Sequence, residues 1–209
     1  RALAAGSGFA ATVYAPAGGY RIDGTISLDG DELILAKGAR LFRLPNQHHN
    51  NTAPLVQLHG TASRLTGSGT ISTSLPSPRG VVCIGPTNTT IIDNVEYSVV
   101  DGITIDGPGL SYKADGSDLD LTVRGSVGLG MDNSVVLAKG GSTYQNTASN
   151  LLVQNVDVGV QLGPVVNANY LTNIVMVSRR ICCPCLPAAF FMSLEGCVRS
   201  IRSGSLPTA

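Results

Sequence analysis

The sequence predicts an all-β solenoid, a chain of short strands wound into stacked coils. Three observations predict it. Short β-type runs separated by Gly and Asn recur from Val13 to about residue 178. None of these runs carries a helical period. Segments of the chain also resemble one another at spacings of about 20 residues or more, which marks a repeating architecture. YSVVDGITID (97–106) aligns with NLLVQNVDVG (150–159), and that with the chain around Asn173, which places Gly102, Asn155 and Asn173 at one point of a coil. Asn tolerates left-handed backbone, and stacked Asn side chains hydrogen-bond along a solenoid axis. An antiparallel sandwich also uses short strands and Gly turns; the internal similarity favours the solenoid.

The elements follow in order. Residues 1–12 are small and Ala/Gly-rich and read as a helix end and a loop, with helix confined to this extreme N-terminus. Val13 to Leu28 is two strands around a Pro16-Ala17-Gly18-Gly19 corner, where Pro fixes φ and Gly supplies conformations other residues reach only with strain. Glu32 to Leu44 is two strands bent at Lys37-Gly38. A polar loop, 45–54, leads to a strand at 55–59, then a pair at 64–72 around Gly67 and Gly69. Further strands are expected at 81–84, 89–92, 97–100, 103–105, 121–123, 135–138, 151–153, 156–160 and 174–177. Alternation predicts that Ile103, Ile105, Val156, Val158, Ile174 and Met176 point inward and that Thr104, Asp157 and Val175 point outward.

Bulk properties narrow the class. A chain of 209 residues supports one sizeable core, too short for two full domains. Charged residues are 13% of it, about half the usual share, yet 43% is apolar and falls in short β-type runs, so the chain is not disordered. Zero net charge removes the basic surface that nucleic acid or an acidic membrane would require. No run reaches the roughly 18 apolar residues of a membrane span. Arg1 to Ala5 looks like the end of something already begun, and the chain reads as a fragment.

A resemblance sharpens the fold. V-x-x-P-A-G-x-Y-R-I-x-x-x-I-x-L (Val13, Pro16, Ala17, Gly18, Tyr20, Arg21, Ile22, Ile26, Leu28) resembles the first coil of pectin-lyase-like proteins. These include polygalacturonases, pectate-lyase superfamily domains and bacteriophage tail-spike depolymerases. L-x-L-A-x-G-A-x-L (33–41), LTGSGTI (65–71) and VDGITIDGPG (100–109) are similar to their next coils, so the likeness covers about residues 1–178. It implies a right-handed, single-stranded parallel β-helix, all-β, as the N-terminal part of a larger domain. The acidic segment that usually precedes the first coil in that family is absent.

The resemblance also implies a polysaccharide-acting protein, a glycoside hydrolase or a polysaccharide lyase. The polygalacturonase motifs N-T-D, D-D, G-H-G and R-I-K are missing, and His59-Gly60 lacks the Gly before it. The chain is therefore expected to lack a complete active site of that kind. The alternative is a non-catalytic structural or adhesive module, such as a tail-fibre segment or surface adhesin. The implied partner is a polysaccharide, with no nucleic acid and no membrane. The implied location is extracellular or the virion surface, as a homotrimer in the tail-spike case.

The carboxylates available for chemistry are Asp93, Glu96, Asp101, Asp106, Asp132 and Asp157, with Asp101, Asp106 and Asp132 the catalytic candidates. Glycosidic hydrolysis needs two carboxyl groups at a fixed separation, and stacking lets Asp101 face a carboxylate of the next coil. Asp101-Gly102 and Asp106-Gly107 also read as simple turn dipeptides, the better reading of the two. Tyr97, Tyr112 and Tyr144 offer rings to stack on sugars, although the chain has no Trp.

No metal site is expected. Asp115, Asp118 and Asp120 suggest oxygen ligands for calcium, which some pectate lyases use, but lack the spacing of a dedicated calcium loop. His48 and His49 have no third ligand for zinc. From residue 179 to 209 the composition changes: Asn and Asp vanish and Cys182, Cys183, Cys185 and Cys197 crowd together. This tail reads as a frame-shifted, misread or disordered end without an evolved role; a zinc site or disulfides among these four Cys are the alternatives.

Overall fold

Alternating apolar residues in short strands, each followed by a corner, build coils that stack on one another. The computed structural model describes residues 10–44, 53–86, 94–108, 126–131, 143–163, 166–182, 193–195 and 198–199. The first coil is β1 (Thr12–Ala15), β2 (Gly18–Arg21) and β3 (Ile26–Asp29). The second is β4 (Glu32–Leu35), β5 (Ala39–Arg43) and β6 (Val56–His59). The third is β7 (Arg64–Gly67), β8 (Thr70–Thr73) and β9 (Val82–Ile84). The fourth is β10 (Val95–Glu96), β11 (Val99–Asp101), β12 (Thr104–Asp106) and β13 (Val127–Met131).

After β14 (Thr143–Tyr144), a single long strand, β15 (Thr147–Leu162), runs round the whole fifth coil. The sixth is β16 (Val166–Asn167) and β17 (Tyr170–Cys182), on which β18 (Ser193–Glu195) and β19 (Val198–Arg199) pair. The strand ladder thus continues past the point at which the composition changes.

Every paired strand among the described residues is parallel to its partner, and no helix occurs among them. That excludes the antiparallel sandwich. Apart from β17 and β18, consecutive strands do not pair; each strand pairs with the equivalent strand one coil on, as a solenoid requires. One ladder joins β1, β4, β7, β11, the start of β15 and the start of β17. A second joins β2, β5, β8, β12 and the middle of β15. A third joins β3, β6, β9, β13 and the end of β15. The strands expected at 89–92, 121–123 and 135–138, and the helix end expected near residue 1, lie outside the described residues. The expectation missed β13, whose Gly-rich VGLGM carries little β signal.

The core is a set of inward columns. Leu33, Leu65, Val100, Ala148 and Leu171 stack on the first face, and Leu41, Ile71, Ile105, Val153 and Met176 on the second. Leu28, Leu58, Ile84, Met131 and Leu162 stack on the third. Each fully buried aliphatic side chain contributes about 1.5–3 kcal/mol. All six residues expected to point inward are buried, and Val175 is exposed.

Asp157 corrects the expectation, because it is buried. It lies between two register irregularities of β15 against β17, at Gln154/Val156 and Val158/Gln161, where strict in–out alternation is lost. Its amide donates to Ser126 Oγ at 3.2 Å. The outer side of the third face is covered as well: Gln57 Nε2 donates to the carbonyls of Gly85 and Pro86, and Arg79 packs its carbonyl against Gly130.

The corners are left-handed. Gly30, Ala62, Tyr97, Gln145 and Ala168 have φ of 71°, 63°, 57°, 56° and 49°, and each stands two residues before a first-face strand. Directly after them come Asp31, Ser63, Ser98, Asn146 and Asn169, all turned inward and buried. Asn146 Oδ1 accepts the Ser98 amide at 2.8 Å, and its Nδ2 donates to the Val95 carbonyl at 3.0 Å. Asn169 Oδ1 in turn accepts both the amide and Nδ2 of Asn146 at 2.9 Å, while Asn169 Nδ2 donates to the Thr143 carbonyl. Ser63 Oγ accepts the Gly30 amide and lies within reach of the Leu28 and His59 carbonyls.

A second corner, between the first and second faces, is formed by Gly67, Gly102, Asn150 and Asn173. The equivalence of Gly102 with Asn155 is therefore corrected. Asp101 pairs with Ser149, so Gly102 stacks under Asn150, and Asn155 belongs to the following corner. The misalignment slipped by one face because both corners of β15 carry Asn.

Substitutions at neighbouring positions should act in opposite directions. Asn146→Ala leaves the Ser98 amide and the Val95 carbonyl buried without partners, at about 1–3 kcal/mol each. It should lower stability in urea by roughly 3 kcal/mol. Gln145→Gly relieves a positive φ and should be neutral or stabilising by a few tenths of a kcal/mol. Equal losses for both would show that the buried amide does not hold the corner.

Candidate functional site

Alternation in β5 turns Leu41 inward and Arg40 and Phe42 outward. Parallel register then stacks Phe42, Ser72 and Asp106 in one outward column, about 4.8 Å apart per coil. A cleft of about 450 Å³ forms over this column, lined by Arg40, Phe42, Ser72, Thr73, Asp106 and Pro108 among others. Gly19 permits it: a Cβ there would come within 3.3 Å of the Phe42 ring.

The polar groups of the cleft are partly committed. Arg40 Nε donates to Ser72 Oγ at 3.0 Å. Asp106 Oδ1 accepts Asn155 Nδ2 at 2.6 Å and Gln154 Nε2 at 3.4 Å. The Arg40 terminal nitrogens and Asp106 Oδ2 take no partner among the described residues, leaving a guanidinium edge and a carboxylate oxygen for a ligand. Arg43 is buried behind this wall and donates to the carbonyls of Gly24, Ala53 and Pro54. Burial pushes its pKa down, and the nearby Asp23 charge opposes that shift.

The sequence candidates separate. Asp106 is in the cleft. Asp101 lies on the first face, where its Oδ1 accepts Ser149 Oγ at 2.6 Å and Asn150 Nδ2 at 2.8 Å. Asn173 Nδ2 donates to Asn150 Oδ1 at 2.7 Å, so Asp101 ends an exposed hydrogen-bonded ladder along the corner. No carboxylate stacks on Asp101: its register neighbours are Thr66 and Ser149. Those of Asp106 are Ser72 and Gln154. The facing carboxylate expected for Asp101 is thus replaced by a hydroxyl, and both Asp residues brace corners.

Tyr97 is exposed at its left-handed corner. Tyr144 pairs with Glu96 on the small sheet of β10, β14 and β16, away from the cleft column. Asp93, Asp115, Asp118, Asp120, Asp132, Tyr112, His48 and His49 lie outside the described residues. Among the described residues no three of His, Cys, Asp or Glu gather as a metal site. Sequence reasoning missed Arg40, Phe42 and Ser72. The outward phase of Arg40 and Phe42 was readable in ARLFR and that of Ser72 in TIST, but their convergence on Asp106 depends on cross-coil register.

No family model, no curated protein and no solved structure matches this chain.

Hydrogen bonding to the Glu96 carboxylate holds the Tyr144 phenol pKa above its ordinary value, with desolvation and the neighbouring Glu96 and Tyr97 charges adding to the shift. In Glu96→Gln the phenol should titrate at lower pH, nearer its usual value, as followed by NMR of tyrosine-labelled protein. An unchanged titration would show that the Glu96 carboxylate does not control Tyr144.

Proposed function

We propose that the chain forms coils of a right-handed parallel β-helix that binds a polysaccharide along its second face, within a polysaccharide-acting protein at a cell exterior or virion surface. One observation carries this reading. The cleft presents an aromatic ring, a hydroxyl and a carboxylate oxygen in one column along the coil axis, with the Arg40 guanidinium beside it. Sugars are recognised by such combinations, in which charged groups take hydroxyls and a ring takes the apolar face of the pyranose. The pectin-lyase-like resemblance of Val13 to Leu28 agrees with this reading but rests on fold analogy.

Hydrolysis or elimination would need a second acid or base beside Asp106. Its described neighbours, Ser72 and Gln154, supply none. That favours binding by these coils over cleavage by them, and equally suits a non-catalytic adhesive module.

Affinity electrophoresis against polygalacturonate, alginate and capsular polysaccharides tests the proposal. One of these polymers should retard the protein, and Arg40→Ala and Phe42→Ala should each weaken binding about tenfold, or 1.4 kcal/mol. Melting temperature should barely move, as for surface substitutions. Retardation unaffected by either substitution would remove the cleft from the account. Release of reducing ends or unsaturated products, abolished in Asp106→Asn, would make the cleft a complete active site.

A further inference from the structure

The third face carries a different constellation, on the first two coils and outside the cleft. Register places Asp29 of β3 opposite His59 of β6, with Ser27 two residues earlier on the same outward side. Ser27 Oγ lies 2.7 Å from His59 Nε2, and Asp29 Oδ1 lies 3.9 Å from His59 Nδ1. Ser27 and Asp29 are exposed, and His59 is half-buried. The geometry points to a serine–histidine acyl-transfer site, with Asp29 as its orienting carboxylate, that hydrolyses small accessible esters such as O-acyl groups.

The chemistry follows from the atoms present. The neutral tautomer that faces its Nδ1–H toward the Asp29 carboxylate leaves Nε2 to accept the Ser27 proton. The distance to Asp29 is too long for a hydrogen bond, and such contacts are often loose without substrate and tighten in the substrate complex. Ser27 Oγ attacks the ester carbonyl carbon while His59 Nε2 takes its proton. The tetrahedral intermediate collapses, its C–O bond to the alcohol breaks, and His59 returns the proton to the leaving alkoxide. Water then attacks the acyl-serine, giving its proton to His59; the carboxylic acid leaves and Ser27 is reprotonated. No metal or redox partner enters.

The backbone supplies a donor for the oxyanion. The Ile26 amide bonds to the Leu55 carbonyl on the β6 side. Alternate amides of a strand point to opposite sides, so the Ser27 amide points away from β6, where no described strand pairs with β3. Gly60 is the local signal of close approach. It has φ of 64°, and a Cβ there would fall 2.2 Å from Asp29 Oδ1, so any other residue would displace the carboxylate.

The test uses the 209-residue protein, p-nitrophenyl acetate and a fluorophosphonate probe. The probe should label Ser27, located by peptide mass spectrometry. Ser27→Ala and His59→Gln should lower p-nitrophenol release by about 10²-fold or more at unchanged melting temperature. Asp29→Asn, a positioning change, should lower kcat with KM retained, since the imidazole loses the carboxylate that orients its tautomer. Absence of Ser27 labelling, or release equal in Ser27→Ala and wild type, would overturn the proposal. So would an Asp29→Asn kcat equal to that of wild type, as far as the role of Asp29 is concerned.

Discussion

The constraint on which the coils depend is the fate of backbone groups at the corner before the first face. Each turn of a solenoid brings the chain round with its amides and carbonyls facing an apolar interior. An unpaired buried group there costs more than a hydrogen bond ordinarily contributes. Asn146 and Asn169 resolve this by inserting their amide side chains where backbone partners are missing, so that one coil's corner is bonded to the next. Asp31 does the same for the Ala11 amide, and Ser63 for that of Gly30. The left-handed residue before each of these is what turns the polar side chain inward.

Once that corner is fixed, register is fixed, and register decides what the surface can do. A slip by one residue would send Leu41 and Ile71 to solvent and bury Arg40 and Asp106. In the observed register the apolar columns fill the interior, and the outward columns become rows of chemistry no local stretch of sequence contains. Phe42, Ser72 and Asp106 meet although they lie far apart in the chain. Ser27 and His59 meet for the same reason. The turn of chain at Arg79–Gly80 and the carbonyls of Gly85 and Pro86 cover the third face beyond the first coils. Ser27 and Asp29 stay open.

The parts legible in the sequence were those with local causes. Strand positions from Val13 to Ile84 could be read from alternation and from Gly at bends, as with Gly38 at φ 83° between β4 and β5. The inward set from Ile103 to Met176 was readable for the same reason. The left-handed corner was hidden, because its occupants include Ala62, Tyr97 and Gln145, residue types that do not advertise positive φ. The usable signal was the small polar residue after each one: Asp31, Ser63, Ser98, Asn146, Asn169. The cleft was half legible. Asp106 could be named, but its role at a corner and its companions depend on pairing across coils that vary in length.

Amide hydrogen exchange at Ser98 and Asn146 tests the corner ladder most directly. Both amides sit in turns, outside any strand, and donate only to side-chain oxygens, Asn146 Oδ1 and Asn169 Oδ1. The ladder predicts that they exchange as slowly as the inward strand amides at Val100 and Ala148. Exchange at the rate of exposed loop amides would contradict it, and with it the register on which both surface sites rest.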